Sequence, residues 1–348
     1  MNKMKLGDIL EIQPKSKRKA GEGIINGKYP FYTCSNELTK SINTADYEGD
    51  ALIMGTGGMA SIHYEKGKFS TSTDCLVYKS NKNVNLSLIN KYLRTNIYLL
   101  ENGFKGAGLR HISRDYISNI TIPLPERNLQ DKIVTELDLI EKTITNHNDV
   151  LKKYDTLIKS RFIEMFGDPL DNQKNWEVQT LGNLCEIVRG GSPRPIDKFL
   201  GGSIPWIKIG DATNGDDIYL YKTKEHIIEE GIKKSRLIPE GSLIFANCGV
   251  SLGFARIIKF QGCIHDGWLA FQNISPRVNN VFLLKSLNMC TDYFRKTAPD
   301  GTQPNLNTTI MKSFVQILPP KDLQDEYVQF VQQIDKSKFE NNYKELVA

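Results

Sequence analysis

The feature that most constrains the fold is a sustained spacing of nonpolar residues, by fours and threes, over residues 129–165. Residues at this spacing share one face of a helix, and charged residues fill most positions between them. The predicted seam is Ile133, Leu137, Ile140, Ile144, His147, Leu151, Tyr154, Ile158, Arg161 and Met165. A helix of about 38 residues spans roughly 57 Å. Because a seam this narrow is best covered by another helix, the sequence predicts a long helix with a helical partner.

A second stretch near the C-terminus repeats this pattern. Leu323, Tyr327, Phe330 and Ile334 have the same spacing, and residues 322–325 resemble residues 128–131. The second seam weakens after Ile334, although Phe339, Tyr343 and Leu346 supply a shifted stripe. It also has no counterpart of residues 157–162, which leaves pairing over the full length of the first helix in question. The two stretches are predicted to form an antiparallel coiled coil.

The remaining sequence contains an internal repeat with a period near 180 residues. Residues 181–187 match residues 6–12, residues 204–207 match residues 29–32, residues 240–245 match residues 48–54, and residues 315–320 match residues 120–125. This period is too long for a solenoid, so it indicates a duplicated domain plus helix. The predicted segments are a first domain over 1–126, a central helix over 127–167, a second domain over 168–320 and a shorter helix over 321–348.

Each domain is predicted to be α+β with a mainly antiparallel or mixed sheet. Short segments rich in β-branched and aromatic residues alternate with Gly, Asn and Asp clusters, as in strands. In the first domain these segments are 29–33, 51–54, 60–64 and 75–78, with one helix predicted over 86–100. With a helix leading away from each domain, we expect the two domains at opposite ends of a helical rod, related by approximate two-fold symmetry within the chain.

Composition narrows the class of protein. The chain has 348 residues, of which 40% are hydrophobic, which is enough for two cores. It has no run of eighteen nonpolar residues and no apolar secretion signal near residue 1, so a cytoplasmic location is expected. The six cysteines lie far apart, as in core thiols of a reducing compartment, and no metal site is expected. A net charge of +5 favours a polyanionic partner without requiring one.

Common catalytic motifs are missing. The glycines at 55–60 are followed by a predicted strand and not by the helix that a dinucleotide site needs. The segment 23–28 lacks the spacing and the hydroxyl residue of a phosphate-binding loop. The aromatic motif of amino-methylating enzymes and the zinc deaminase motif are absent, and turn chemistry explains the acidic segments 168–171 and 299–301. We therefore expect no catalysis and no cofactor in this chain.

Binding fits the remaining features better. Both domains carry loops in which Lys and Arg alternate with Ser, Asn, Gln and aromatic residues. Arg, Lys, Asn and Gln side chains read base edges in the major groove, while Lys side chains and the backbone amides of glycine turns bind phosphates. Each basic loop, including residues 15–19, is either simply solvated or a nucleic-acid contact. Their recurrence in two linked copies favours the second interpretation. The DNA-binding candidates are Lys15, Lys17, Arg18, Asn36, His63, Arg110, His111, Arg189, Ser192, Arg194, Lys208, Asn247, Thr302, Gln303 and Asn305.

Several specific strings carry a resemblance to a known family. They are residues 128–133, 153–169, 204–211, 301–307 and 333–339, together with Trp176 and the Leu181-Gly182 pair that starts the second repeat. With these strings the chain resembles the DNA-specificity subunit of type I restriction-modification systems over nearly its whole length.

The resemblance implies that each domain reads one half of a split DNA target and that the helices fix the gap. It also implies two modification subunits that bind S-adenosylmethionine and methylate adenine N6, and restriction subunits that use ATP and Mg²⁺ to translocate and cut DNA. No reaction is then expected in this chain. Helix pairing and partner binding are assigned to Ile133, Leu137, Ile140, Ile144, Leu151, Tyr154, Ile158, Tyr327, Phe330 and Ile334. The main alternative is a duplicated coiled-coil scaffold that does not touch DNA; a fused methylase or nuclease is a more distant one.

Overall fold

The computed structural model describes residues 2–213, 215–298 and 305–347, with the side chains of residue 2 and of residues 339–347 left undescribed. Thr302 and Gln303 of the predicted site lie outside the described residues, and the predicted stripe of Phe339, Tyr343 and Leu346 lies outside the described side chains. The chain divides into two compact units, unit 1 over Met1–His147 and unit 2 over Asn148–Ala348. No helix in the described ranges is both long and nonpolar enough to cross a bilayer.

Unit 1 contains short strands, three short helices and the first half of a long helix. Its elements are β1 (Asn2–Lys5), β2 (Leu10–Ile12), β3 (Tyr29–Tyr32), β4 (Ser41–Ile42), β5 (Tyr47–Glu48), β6 (Ala51–Gly55), β7 (Ser61–Glu65), β8 (Lys68–Thr71), β9 (Cys75–Ser80), α1 (Leu86–Thr95), α2 (Tyr98–Glu101), β10 (Phe104–Lys105), β11 (His111–Ile112), α3 (Arg114–Asn119), β12 (Thr121–Leu124) and α4 (Arg127–Phe166), which continues into unit 2.

Unit 2 repeats this order with additional elements. It contains β13 (Val178–Thr180), α5 (Leu181–Leu184), β14 (Glu186–Arg189), β15 (Leu200–Ile207), β16 (Tyr219–Leu220), β17 (Glu225–Ile227), α6 (Glu229–Ile232), β18 (Arg236–Ile238), β19 (Leu243–Ala246), β20 (Ala255–Ile258), β21 (Gly262–Ile264), β22 (Trp268–Gln272), α7 (Asn280–Met289), α8 (Thr291–Thr297), α9 (Thr308–Ser313), β23 (Val315–Ile317) and α10 (Lys321–Val347).

Sheet topology confirms the internal repeat. One sheet of unit 1 has the order β2-β9-β6-β7, and unit 2 has β14-β22-β19-β20 with β16 added at the edge. The other sheet has the order β4-β3-β8-β5 in unit 1 and β17-β15-β21-β18 in unit 2. In both units the central pair of the second sheet is parallel, namely β3 with β8 in unit 1 and β15 with β21 in unit 2. The added strand β16 is also parallel to β20, and the other pairs in these sheets are antiparallel. The predicted α+β class with mixed sheets is therefore confirmed.

The central strands β6 and β19 are buried on both faces. Leu52 and Met54 pack in the cluster that contains α1, whereas Ala51 and Ile53 pack in a second cluster beneath the other sheet. Because successive strand residues point to opposite faces, a strand covered on both sides must be nonpolar throughout. This is why both segments read as uninterrupted nonpolar runs.

The helix predicted over 86–100 is interrupted. The α1 helix ends at Thr95, and the short α2 begins at Tyr98. The backbone N–H and the side-chain amide of Asn96 both donate to the Tyr92 carbonyl oxygen, at 3.0 and 2.9 Å, and the Asn96 backbone leaves the helical region, so this residue caps α1.

Each long helix is fixed to its domain by the same buried amide. Gln130 in α4 accepts from the Asn85 backbone N–H at 2.8 Å and donates to the Pro125 carbonyl at 2.7 Å. Gln324 in α10 makes the equivalent bonds to Asn279 at 2.9 Å and to Pro319 at 2.8 Å. The neighbouring carboxylates, Asp131 and Asp325, accept from the two asparagine side chains. The sequence match between residues 128–131 and 322–325 therefore reflects the same set of hydrogen bonds that anchors a long helix to its domain in both units.

Within unit 2, α10 packs antiparallel against the C-terminal part of α4. Phe162 and Phe166 surround Tyr327, with ring centroids 5.4 and 5.5 Å from it, and the Tyr327 hydroxyl donates to the Ile158 carbonyl at 3.4 Å. Further along the pair, Lys338 contacts Asp155 at 2.7 Å. The pairing direction is confirmed here.

The middle of the predicted seam is exposed within unit 1, whereas Ile133 and Leu137 are partly buried. Within unit 1, Ile140 and Ile144 are 54% and 55% exposed, and Val134, which is not on the predicted seam, is buried instead. For Ile140 and Ile144, helix pairing stays a prediction.

Candidate nucleic-acid interface

The candidate interface lies, in each unit, at the end of the sheet where the central strand turns back. This turn follows β6 in unit 1 and β19 in unit 2. In unit 1, the backbone N–H of the first turn residue, Thr56, donates to the Asp74 carbonyl at 2.8 Å. In unit 2, the backbone N–H of the first turn residue, Asn247, donates to the Gly267 carbonyl at 3.0 Å. The same hydrogen bonds thus hold both turns against the residues that precede β9 and β22.

A second segment closes over each turn from the other side. Ile112 donates to the Thr56 carbonyl at 3.1 Å in unit 1, and Leu306 donates to the Asn247 carbonyl at 2.8 Å in unit 2. Isolated β-bridges join Gly57 to His111 and Cys248 to Asn305. Residues from the turn and from the segment before α3 or α9 are therefore brought together at one strand end, which we call the turn surface of each unit.

Asp266 organises the turn surface of unit 2. Its carboxylate accepts from the Ser192 hydroxyl at 2.8 Å and lies 3.8 Å from the Arg194 guanidinium, while its carbonyl accepts from Arg189 Nε at 3.0 Å. The Arg194 side chain is 82% exposed. Asp266 thus holds two cations and a hydroxyl at the surface while leaving most donors of Arg194 accessible.

His265 is fixed in one tautomer beside Asp266. Its Nδ1 accepts from the Gly267 backbone N–H at 2.9 Å, so the proton lies on Nε2, 3.0 Å from the Asp266 carboxylate. Burial lowers the pKa of His265 below its usual range, outweighing the carboxylate. The ring is therefore neutral near pH 7 and acts as a donor that orients Asp266.

Lys208 and Asn247 occupy different environments. Lys208 lies 5.1 Å above the ring of Trp206 and pairs with Glu225, so part of its charge is already neutralised. The Asn247 amide is buried and donates to the side chain of Asn305 at 3.0 Å and to the Leu306 carbonyl at 3.1 Å. Asn247 therefore positions the segment that carries Asn305.

In unit 1, the predicted residues Arg110 and His111 lie on the turn surface. The Gly58 backbone N–H donates to the Arg110 carbonyl at 2.9 Å, and His111 Nδ1 lies 3.2 Å from the Thr56 carbonyl. Both side chains are exposed. They are thus the unit 1 residues most directly placed to meet a ligand at this surface.

The basic loop after β2 is held by an internal ion pair. Arg18 makes two bonds to the Asp46 carboxylate, at 2.6 and 2.8 Å, and one to the Thr44 hydroxyl at 2.8 Å. The Asp46 carboxylate raises the pKa of Arg18, and the guanidinium lowers the pKa of Asp46. Lys15 and Lys17 on this loop remain exposed. Arg18 is therefore occupied in ordering the loop that presents the two lysines.

His63 lies on β7 and makes none of the hydrogen bonds that build the turn surface. It lines a cleft of about 1110 Å³ between the sheet, α1 and α4 in unit 1, where its Nε2 is 2.8 Å from the Ser35 carbonyl. Burial lowers its pKa. Asn36, next to Ser35, is exposed. His63 thus supports the loop that carries Asn36.

Sequence reasoning missed His265 and Asp266. Their role depends on residues 74 positions away in the chain, and the turn they form gives no motif of its own. Over the described residues, no group of three or more His, Cys, Asp or Glu side chains has the arrangement of a metal site.

Two similar α+β domains, each with a polar turn surface and each joined to a long helix, define a protein with two matched candidate surfaces in one chain. A family model described as the type I restriction modification DNA specificity domain matches residues 1–153 and 173–347. The chain therefore belongs to this family.

Individual relatives agree with the family match. The chain is 27% identical over 147 residues to the type I restriction enzyme MjaIX specificity subunit of Methanocaldococcus jannaschii, covering 40% of this chain but only 33% of that protein. It is 23% identical over 363 residues to the type I restriction enzyme EcoDI specificity subunit of Escherichia coli, covering 95% of this chain and 80% of the relative. A solved S subunit of a type I restriction-modification system from M. genitalium shares the fold, with a TM-score of 0.67, 14% identity, and coverage of 99% of this chain and 91% of that chain.

Proposed function

We propose that this chain is the DNA-specificity subunit of a type I restriction-modification complex and that each unit reads one half of a bipartite target. The observation that carries the proposal is the duplication of the turn surface, built by the same hydrogen bonds in both units. Two equivalent surfaces in one chain suit a target with two separate halves. The relatives, named as specificity subunits, support the same interpretation.

The predicted residues divide into two roles. We assign base or phosphate contacts to exposed or half-buried side chains of the turn surfaces, of the basic loop after β2 and of the loop that carries Asn36, and we retain Thr302 and Gln303 from sequence alone. The contact set is Lys15, Lys17, Asn36, Arg110, His111, Arg189, Ser192, Arg194, Lys208, Thr302, Gln303 and Asn305. Arg18, His63 and Asn247 position these residues, because the Arg18 guanidinium, the His63 Nε2 atom and the Asn247 amide nitrogen are already bound within the chain.

We assign the chemistry to partner subunits. Two modification subunits would bring S-adenosylmethionine and transfer its methyl group to adenine N6, and restriction subunits would bring ATP and Mg²⁺ for translocation and cleavage, with this chain catalysing no step. Exposed nonpolar residues on α4, among them Leu139 and Ile140, are candidates for partner contacts. All components would meet in the cytoplasm. The scaffold without DNA recognition is not supported, because the DNA specificity domain model matches both units.

The proposal is tested by mapping N6-methyladenine in a host that expresses the chain with its modification subunits. We expect a bipartite target with a fixed gap. Inserting four residues after Thr143 adds about 6 Å to α4, and we expect a longer gap between unchanged half-sites. As the control, replacing Lys142, Thr143, Thr145 and Asn146, which lie outside the predicted seam, with alanine keeps the helix length and should leave the gap unchanged. Altered half-site bases with an unaltered gap would contradict the proposed spacing role of the helix.

A further inference from the structure

Both turn surfaces present an exposed nonpolar side chain at the same position. Met59 in unit 1 is 66% exposed, and Val250 in unit 2 is 97% exposed. Each follows a glycine with positive φ, Gly58 at 81° and Gly249 at 70°. The hydrogen bonds that hold Thr56 and Asn247 align the two turns residue by residue, so Met59 and Val250 are structural equivalents.

The fold does not require a nonpolar residue at either position. The next core residues are Ala60 in unit 1 and Leu252 in unit 2, both buried, whereas Met59 and Val250 point away from the core clusters. Turns favour Gly, Asn, Asp and Ser. A single exposed nonpolar residue is ordinary on a protein surface, but its repetition in two turns that differ in length and sequence indicates a role in binding.

The surroundings of these residues are polar and basic. In unit 1, Gly58 is bonded to Arg110, next to the exposed His111. In unit 2, the residue before Gly249 is Cys248, which lies against Gly267, and Gly267 adjoins the Asp266 cluster with Arg189 and Arg194. A ligand at either surface meets this nonpolar group beside hydrogen-bonding and positively charged groups, and in unit 1 it also meets the exposed Leu109 next to Arg110.

DNA offers a matching feature. On base edges in the major groove, the nonpolar group is the C5-methyl of thymine, and nonpolar side chains contact it. We propose that Met59 and Val250 each contact the C5-methyl group of a thymine in the half-site read by its own unit. This inference rests on the proposed function and adds two specificity-determining residues to it.

The test uses the full chain in complex with its modification subunits and a duplex that carries the mapped target. Each thymine is replaced in turn by deoxyuridine, which removes the C5-methyl alone, and binding is measured by fluorescence anisotropy. One replacement in each half-site should weaken binding about fourfold, the factor for about 0.8 kcal/mol per buried methyl group. In the Val250→Ala complex, the sensitive replacement in the second half-site should lose most of this effect, while the one in the first half-site keeps it. Met59→Ala should give the reverse pattern.

The matched control is Val315→Ala, which makes the same change at an exposed residue of β23, half accessible to solvent, and should leave all deoxyuridine effects intact. Equal deoxyuridine effects in the Val250→Ala complex and in the unsubstituted complex would overturn the inference. A half-site without thymine would also overturn it. So would a loss of binding affinity in Val250→Ala that does not depend on the thymine methyl group, which is the result expected if the side chain inserted between bases. Failure of the unsubstituted complex to bind its target selectively would instead overturn the proposed function.

Discussion

The buried anchor at the start of α10 gives a quantitative prediction for Gln324→Leu. Gln324 is fully buried and makes three bonds, accepting from the Asn279 N–H and donating to the carbonyls of Arg277 and Pro319. Leucine fills similar space but leaves one donor and two acceptors buried without partners. At about 1–2 kcal/mol for each of the three unsatisfied groups, the free energy of unfolding of unit 2 should fall by about 3–6 kcal/mol.

Tryptophan fluorescence reports this loss selectively. Trp176, Trp206 and Trp268 all lie in unit 2. Urea unfolding followed by this fluorescence should show a clearly lower midpoint for Gln324→Leu. The equivalent substitution in unit 1, Gln130→Leu, should leave the fluorescence transition in place while shifting part of the far-UV circular dichroism transition. Gln332→Leu, at an exposed position of α10, is the control for composition. A change under about 1 kcal/mol for Gln324→Leu, or an equal fluorescence shift for Gln130→Leu, would refute the anchor.

Two further predictions concern titratable groups. Burial raises the pKa of Asp335 to about 6, despite the nearby Lys285 and Lys338; because the unfolded carboxyl ionises nearer pH 4, the native state loses stability as pH rises through this interval. Between pH 4 and pH 7, the free energy of unfolding of Asp335→Asn should therefore rise by about 1–3 kcal/mol relative to that of the unsubstituted chain, as measured by urea unfolding. A difference that stays constant across this range would contradict the assignment. The neighbouring Cys75 thiol, together with the Gly57 and Thr56 backbone, lowers the pKa of Cys34 to about 6. Iodoacetamide at pH 7 should therefore alkylate Cys34 faster than the buried Cys75, as measured by mass spectrometry of peptides. Faster labelling of Cys75 would contradict this prediction.

The sequence was sufficient for those parts of the fold that depend on local periodicity. The long helix was predicted over 127–167 and α4 covers Arg127–Phe166, because heptad spacing is a property of consecutive residues. The segments read as strands around 51–54 and 75–78 fall within β6 and β9. The end of α1 was missed because the asparagine that caps it, Asn96, interrupts no pattern of nonpolar spacing.

The candidate site was less predictable, because its geometry depends on contacts between distant parts of the chain. Arg18 has the composition of a phosphate contact, yet its guanidinium binds Asp46, 28 residues away. The role of Asp266 depends on Ser192 and Arg194, which lie on a separate loop. The equivalence of Met59 and Val250 also depends on the pairing of the strands, because the number of residues that separates equivalent positions of the two repeats changes along the chain. A basic cluster in the sequence therefore indicates where a surface forms, and only the contacts separate binding residues from positioning residues.

The central claim is that the two units read separate halves of one DNA target, and target mapping with two matched arginine variants tests it most directly. Arg110 lies on the turn surface of unit 1 and Arg194 on that of unit 2. In complexes with the modification subunits, Arg110→Ala should relax or weaken recognition of one half-site by about 1–3 kcal/mol, and Arg194→Ala should do the same for the other half-site alone. Effects of both variants on the same half-site, or equal losses on target and scrambled DNA, would contradict the account.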